Sequence, residues 1–195
     1  MYLTASKINY MDKKVKKFEK YLQKCIDTQE VVKIYRDVTD GEADLYGYLI
    51  DKSEDFLVIH NENEFLLDGY SIIRKDQFDY IRCDEYDETI RIINEGEGLN
   101  KKVGLKKSLN LNSWKSIFKQ LKKKDYHVTV ECEYMKNPTF TIGPIVKVGD
   151  RSVEVTYFDA TGKLDKKPTK IKYKDISQVR FATRYTKVFK KYVFK

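Results

Sequence analysis

Apolar side chains recur along this chain with two periods, one near 3.6 residues and one near 2, and the order in which the periods follow one another occurs twice. Ile8, Met11, Val15, Phe18 and Leu22 fall every three or four residues, while Lys13, Lys14, Lys16, Lys17 and Lys20 fall mostly elsewhere. That spacing predicts an amphipathic helix leaning on an apolar surface. Short runs rich in β-branched and aromatic residues follow at Val31–Tyr35, Leu45–Ile50, Phe56–His60, Phe65–Arg74 and Phe78–Cys83, with a turn-forming stretch at Asp40-Gly41. They read as about five strands. After the loop-like Asn94-Glu95-Gly96-Glu97-Gly98, the best linker in the chain, the order starts again. Trp114, Ile117, Phe118 and Leu121 have helical spacing behind Asn112 and Ser113, either of which suits a helix N-cap. Strands are expected at His127–Glu133, Phe140–Val148, Ser152–Phe158, Lys170–Tyr173 and Ile176–Phe181, with a tight hairpin at Gly149-Asp150. The closing Phe181, Tyr185, Val188, Phe189 and Tyr192 fit a helix or a strand, and a short terminal helix is favoured.

One shift aligns the two sets. Gly47 precedes Gly143 by 96 residues, and the same shift matches Phe18 with Trp114, Leu22 with Phe118, Val32 with Val128, Ile34 with Val130, Leu49 with Ile145, Leu57 with Val153 and Ile59 with Val155. An apolar register held so long implies two copies of one folding unit. The expected organisation is a mainly β (α+β) chain with one unit over residues 1–95 and another over residues 100–195, each a helix followed by about five short antiparallel strands.

A helix, then five short strands, the second bearing a glycine where it must bend, resembles the Sm-like small barrel. The resemblance implies two tandem barrels. RNA-binding Sm proteins usually place an Asp and an Asn after the glycine-bearing strand and an Arg-Gly pair in the last loop. Here Lys52-Ser53-Glu54-Asp55 and Val148-Gly149-Asp150-Arg151 lack the Asn, and Ile81-Arg82-Cys83-Asp84 and Val179-Arg180-Phe181-Ala182 keep the Arg without the Gly. The resemblance therefore carries the fold and not the uridine-stacking pocket. Phe158-Asp159-Ala160-Thr161-Gly162, Pro168-Thr169, Arg184-Tyr185 and Phe189-Lys190-Lys191-Tyr192, with Leu67-Asp68-Gly69-Tyr70 earlier, are also similar to an uncharacterised family of bacterial cytosolic proteins. That likeness implies a bacterial protein and supplies no catalytic residue.

Composition changes this picture little. The chain has 195 residues, 41% of them hydrophobic and 35% charged, which supports a packed core. No apolar run approaches the roughly 20 residues that span a bilayer, and the start lacks the apolar stretch of a signal peptide. A cytoplasmic location is the expectation. Cys25, Cys83 and Cys132 are odd in number and never form a Cys-x-x-Cys pair, and His60 and His127 are the only histidines. Neither a disulfide framework nor a metal site is expected, and no cofactor is called for.

Charge alters the picture more. The net +8 conceals a division, because residues 1–98 hold 14 Lys/Arg against 22 Asp/Glu while residues 99–195 hold 24 against 8. Residues 101–124 carry nine lysines and no acid. Lys115, Lys119, Lys122 and Lys123 are the candidates for holding a phosphate backbone, with a solvated helix face or attraction between the two units as alternatives. Asp159, Thr161 and Arg184 form a candidate ligand pocket, although Asp and Thr in a Gly-ended loop commonly bond to their own backbone. No nucleophile–base pair, paired carboxylates or phosphate-cradling glycine loop is present, so a non-enzymatic binding protein is expected. The first expectation is a protein-interaction or assembly module with an unknown protein partner or further copies of itself. The alternative is RNA or DNA binding through the Lys101–Lys124 region.

Overall fold

The computed structural model describes residues 3–4 and 12–194. Helix α1 (Asp12–Asp27) turns Phe18, Leu22 and Cys25 inward, at i, i+4 and i+7, and leaves Lys16, Lys17, Lys20 and Lys24 in water. Ile8 and Met11 lie outside the described residues. Helix α3 (Trp114–Lys123) repeats the arrangement with Trp114, Ile117, Phe118 and Leu121. Its N-cap is Ser113, whose hydroxyl accepts from the Ser116 N–H at 3.2 Å.

The strands of the first half are β2 (Val31–Val38), β3 (Gly41–Lys52), β4 (Phe56–Asn63), β5 (Leu66–Arg74) and β6 (Tyr80–Arg82), preceded by the two-residue β1 (Leu3–Thr4). Those of the second half are β7 (His127–Cys132), β8 (Thr139–Val148), β9 (Ser152–Val155), β10 (Thr169–Lys172) and β11 (Gln178–Phe181). All pairings between them are antiparallel, in the order β1-β6-β2-β3-β4-β5-β11-β7-β8-β9-β10.

The repeat is visible in the hydrogen-bond register. Val32 faces Gly47 and Val128 faces Gly143, each pair 96 residues from its counterpart. The register slips once in each long strand, between Leu49 and Asp51 and between Ile145 and Lys147. Ser53 N–H closes on Phe56 O at 2.9 Å as Gly149 N–H closes on Ser152 O at 2.9 Å. Gly47 (φ +149°) and Gly143 (φ +151°) occupy the same bend, where a Cβ would collide with the carbonyl oxygen of His60 or Thr156. Ile34, Leu49, Leu57 and Ile59 are buried, as are Val130, Ile145, Val153 and Val155. Beyond that point the shift becomes 98, since Ile73 faces Leu57 while Ile171 faces Val153.

Two expectations require correction. Two separate closed barrels are not what the described sheet forms. β5 spends its second edge on β11 of the other half, so it does not pair with β6, and one continuous eleven-stranded sheet results. The stretch taken as the start of a linker is also helical. Helix α2 (Glu85–Gly96) begins in a capping box, with the Asp84 carboxylate accepting from Tyr86 N–H and Asp87 accepting from Asp84 N–H, and ends over Asn94-Glu95-Gly96. Its counterpart after β11 is helix α4 (Arg184–Phe189), the expected terminal helix, capped by Thr183.

The second half draws part of its core from the first. Phe56, Val58 and Ile72, on the face of β4 and β5 turned away from their own half, are buried with Trp114, Phe118, Val130 and Val179. Phe56 meets Trp114 edge-on with ring centroids 4.7 Å apart. Phe18, Leu22, Ile34, Leu49, Leu57, Ile59, Ile73 and Ile81 form the first half's own core.

Candidate binding surface

The lysines singled out in the sequence stand on the outer side of α3. Lys115 reaches across to the β8–β9 hairpin and pairs with Asp150 at 2.5 Å, and Lys122 Nζ donates to the Val146 carbonyl. Lys119 and Lys123 are exposed. The hairpin that receives Lys115 also borders a groove of about 600 Å³ along β10, lined by Arg151, Ser152, Lys170, Lys172, Tyr173 and Lys174. Two basic groups far apart in sequence thus meet on one surface. Tyr173 is its rigid wall. Its hydroxyl donates to Gly149 O at 2.9 Å, its ring stacks on Phe118, and burial pushes its pKa up to about 12.

β10 is an edge strand, with β9 on one side and no described strand on the other. Tyr173 N–H donates to Arg151 O at 3.1 Å, which fixes the antiparallel alternation. Ile171 therefore bonds inward to β9, and the backbone groups of Lys170 and Lys172 point outward. Sequence reasoning nominated none of Arg151, Lys170, Lys172 and Lys174. The signal that could have found them is the run Lys170-Ile171-Lys172, one buried apolar residue between two charges, the pattern by which natural sheets blunt an open edge.

Asp159, Thr161 and Arg184 are placed differently from one another. Asp159 Oδ1 accepts from Thr161 N–H (2.8 Å), Thr161 O–H (2.6 Å) and Lys163 N–H (3.1 Å), and these bonds hold the carboxyl below its usual pKa. Arg184 opens α4 and gives its backbone N–H to the Asp68 carboxylate. Among the described residues no hydrogen bond or ion pair joins Asp159 to Arg184. The loop's polar groups serve its own turn.

The histidines have separate duties. His60 Nδ1 accepts the Gly104 N–H at 3.2 Å while its ring stacks on Tyr70, whose hydroxyl donates to Gly104 O at 2.9 Å. Together they clamp the segment between the halves. Burial, with Lys187 nearby, pulls the His60 pKa down to about 4 and keeps the ring neutral. His127 is buried beside Phe158, and burial likewise lowers its pKa. Cys25, Cys83 and Cys132 are free thiols that burial pushes up to about 11, 12 and 11, so little thiolate forms near neutrality. Among the described residues no three His, Cys, Asp or Glu side chains gather as a metal site, and no helix is long and apolar enough to cross a membrane.

Sequence reasoning also missed a buried polar network. Arg36 on β2 forks onto Glu133 at 2.5 and 3.0 Å and donates to Gln178 at 2.8 Å. Gln178 donates to Ser71 at 3.0 Å, and Ser177 donates to Glu133 at 2.6 Å. The network binds β2 and β5 to the second half, and the Arg36 side chain is 2% exposed. It is an internal tie, closed to ligands by burial.

No protein-family model matches this chain, and no curated protein sequence matches it.

Proposed function

We propose that this protein is a non-enzymatic protein-interaction module of two tandem Sm-like units, which binds an acidic extended segment of a partner along the outer edge of β10. The repeated helix-plus-five-strand order, with a glycine-bent second strand in each half, supports the Sm-like reading. One observation carries the binding reading. The edge of β5 is filled by β11, whereas the equivalent edge of β10 meets no described strand and is flanked by Arg151, Lys170, Lys172 and Lys174. An added strand gains main-chain hydrogen bonds at Lys170 and Lys172, and acidic side chains on it meet the lysines.

The test is co-purification from native cell extract with the protein and with a Lys170→Pro/Lys172→Pro variant. Proline at these positions removes outward donors and spares the bonds to β9. An acidic protein retained by the parent, lost from the variant and released by salt is expected. Equal retention by both would overturn the edge reading.

A second reading is nucleic-acid binding, favoured by the continuity of Lys115 and Lys119 with the Arg151–Lys174 groove. It requires a high 260/280 nm absorbance ratio after purification. It also requires saturable binding of a single strand with a log–log salt slope on the order of −3 for about four phosphate contacts, lost when Lys115, Lys119, Lys122 and Lys123 become Glu.

A further inference from the structure

Helix α2 is mounted in an unusual way. The residues it buries are polar. Asp87 and Asn94 are fully enclosed, and Arg82 grips the Asp87 carboxylate at 2.8 and 3.0 Å. Three of its four large apolar residues face water instead, with Tyr86 69%, Ile92 56% and Ile93 40% exposed. An apolar helix face turned outward while a polar one is anchored inward marks a surface that another protein covers.

The surface continues beyond α2. Ile90 and Phe65, the latter at the tip of the β4–β5 hairpin, border a cavity of about 390 Å³ whose other walls include Lys33, Asp44, Glu62 and Arg82. There Glu64 and Phe65 both adopt left-handed backbone (φ +49° and +63°), a conformation Phe rarely takes, and Phe65 and Leu66 are exposed. At the hairpin's base Asp68 holds the Arg184 N–H, the first residue of α4. Helix α4 and the tail after it expose Tyr185, Val188, Tyr192 and Phe194. Exposed apolar side chains thus stand on α2, at the hairpin tip and on α4, separated by charged residues. The α2 surface is rimmed by exposed Glu85 and Glu97, and the α4 surface by exposed Arg184, Lys187 and Lys191.

We infer that these exposed groups form a homodimer interface, in which α2 of one copy meets α4 of a second about a two-fold axis near the Phe65–Leu66 hairpin. The occupant follows from the charges. A patch acidic at one end and basic at the other is complementary to itself when turned through a two-fold, and the contact then closes after two copies. This rests on the reading of the protein as an interaction module, and it uses a surface separate from β10.

The experiment is sedimentation equilibrium at low ionic strength up to about 100 μM chain, a range that captures micromolar self-association. The parent chain should have twice the monomer mass. Phe65→Asn/Leu66→Ser should be monomeric and still folded, because Asn tolerates the left-handed turn. Glu85→Lys/Glu97→Lys alone and Lys187→Glu/Lys191→Glu alone should each be monomeric, since each sets like charges against each other across both helix contacts. An equimolar mixture of the two should dimerise, because every contact then joins opposite charges. Lys170→Pro/Lys172→Pro should leave the dimer intact. A parent that is monomeric throughout, charge variants that dimerise unchanged, or a mixture that stays monomeric would overturn the proposal. A dimer lost in the proline variant would overturn it too, while leaving the β10 edge as the contact surface.

Discussion

The equivalent edges β5 and β10 carry opposite chemistry on one backbone plan. Where β5 meets β11, the face turned toward the other half bears Phe56, Val58 and Ile72. At the same register positions β9 and β10 bear Ser152, Glu154 and Lys170. A face that a permanent neighbour covers is apolar and completes that neighbour's core. A face left open is charged, which keeps it soluble and suits a partner held by backbone bonds and electrostatics.

Mixing the two chemistries should give the largest effects. Ile72→Lys places the open-edge residue inside the junction and should cost about 3–5 kcal/mol, the scale for an unpaired buried charge, as read from urea unfolding. The reverse change, Lys170→Ile, should leave the midpoint nearly unchanged and lower solubility. Equal effects of the two would break the comparison. Glu133→Ala leaves the buried Arg36 guanidinium without its main partner and should also cost about 3–5 kcal/mol, whereas Asp150→Ala, which only frees Lys115 at the surface, should leave the unfolding midpoint essentially unchanged.

Sameness between the halves is tested by the glycines. Gly47→Ala and Gly143→Ala should each destabilise by roughly 3 kcal/mol or more through collision with a backbone carbonyl. Tolerance at one alone would mean that the bends are not equivalent. Leu57→Ala and Val153→Ala should follow at about 1–4 kcal/mol through the cavities they leave.

A further effect is one of pH. The folded-state pKa of His60 lies near 4, against an ordinary 6.5, so the unfolded chain binds the extra proton between those values. Its contribution is complete above about pH 6.5 and is lost as pH falls toward 4. A His60→Asn variant should show a flatter decline in the unfolding midpoint across that window. An unchanged slope would remove His60 from the clamp on Gly104.

The α1 and α3 faces, the strand runs and the 96-residue register were legible in the sequence, because burial of one face writes a period into it. Even the junction left a trace. Phe56-Leu57-Val58-Ile59 is continuously apolar, the mark of a strand buried on both faces, whereas Ser152-Val153-Glu154-Val155 alternates. Helix α2 left no such mark, since its inward residues are Asp87 and Asn94. The Arg36–Glu133–Gln178 network was invisible because its members lie 97 and 142 residues apart and only the sheet order brings them together. The basic groove was half legible. Lys115 and Lys119 stand out in an acid-free run, but their meeting with Arg151 and Lys170 depends on the β8–β9 hairpin.

The covered and open edges are compared most directly by amide hydrogen exchange of the isolated chain, followed residue by residue. Ile72 N–H, bonded toward β11, should belong to the slowest class, and Ile171 N–H, bonded toward β9, should be clearly protected. Lys170 and Lys172, on the same strand as Ile171, should exchange near the unprotected rate. Protection of Lys170 equal to that of Ile72 would contradict an open β10 edge and with it the surface on which the binding reading depends.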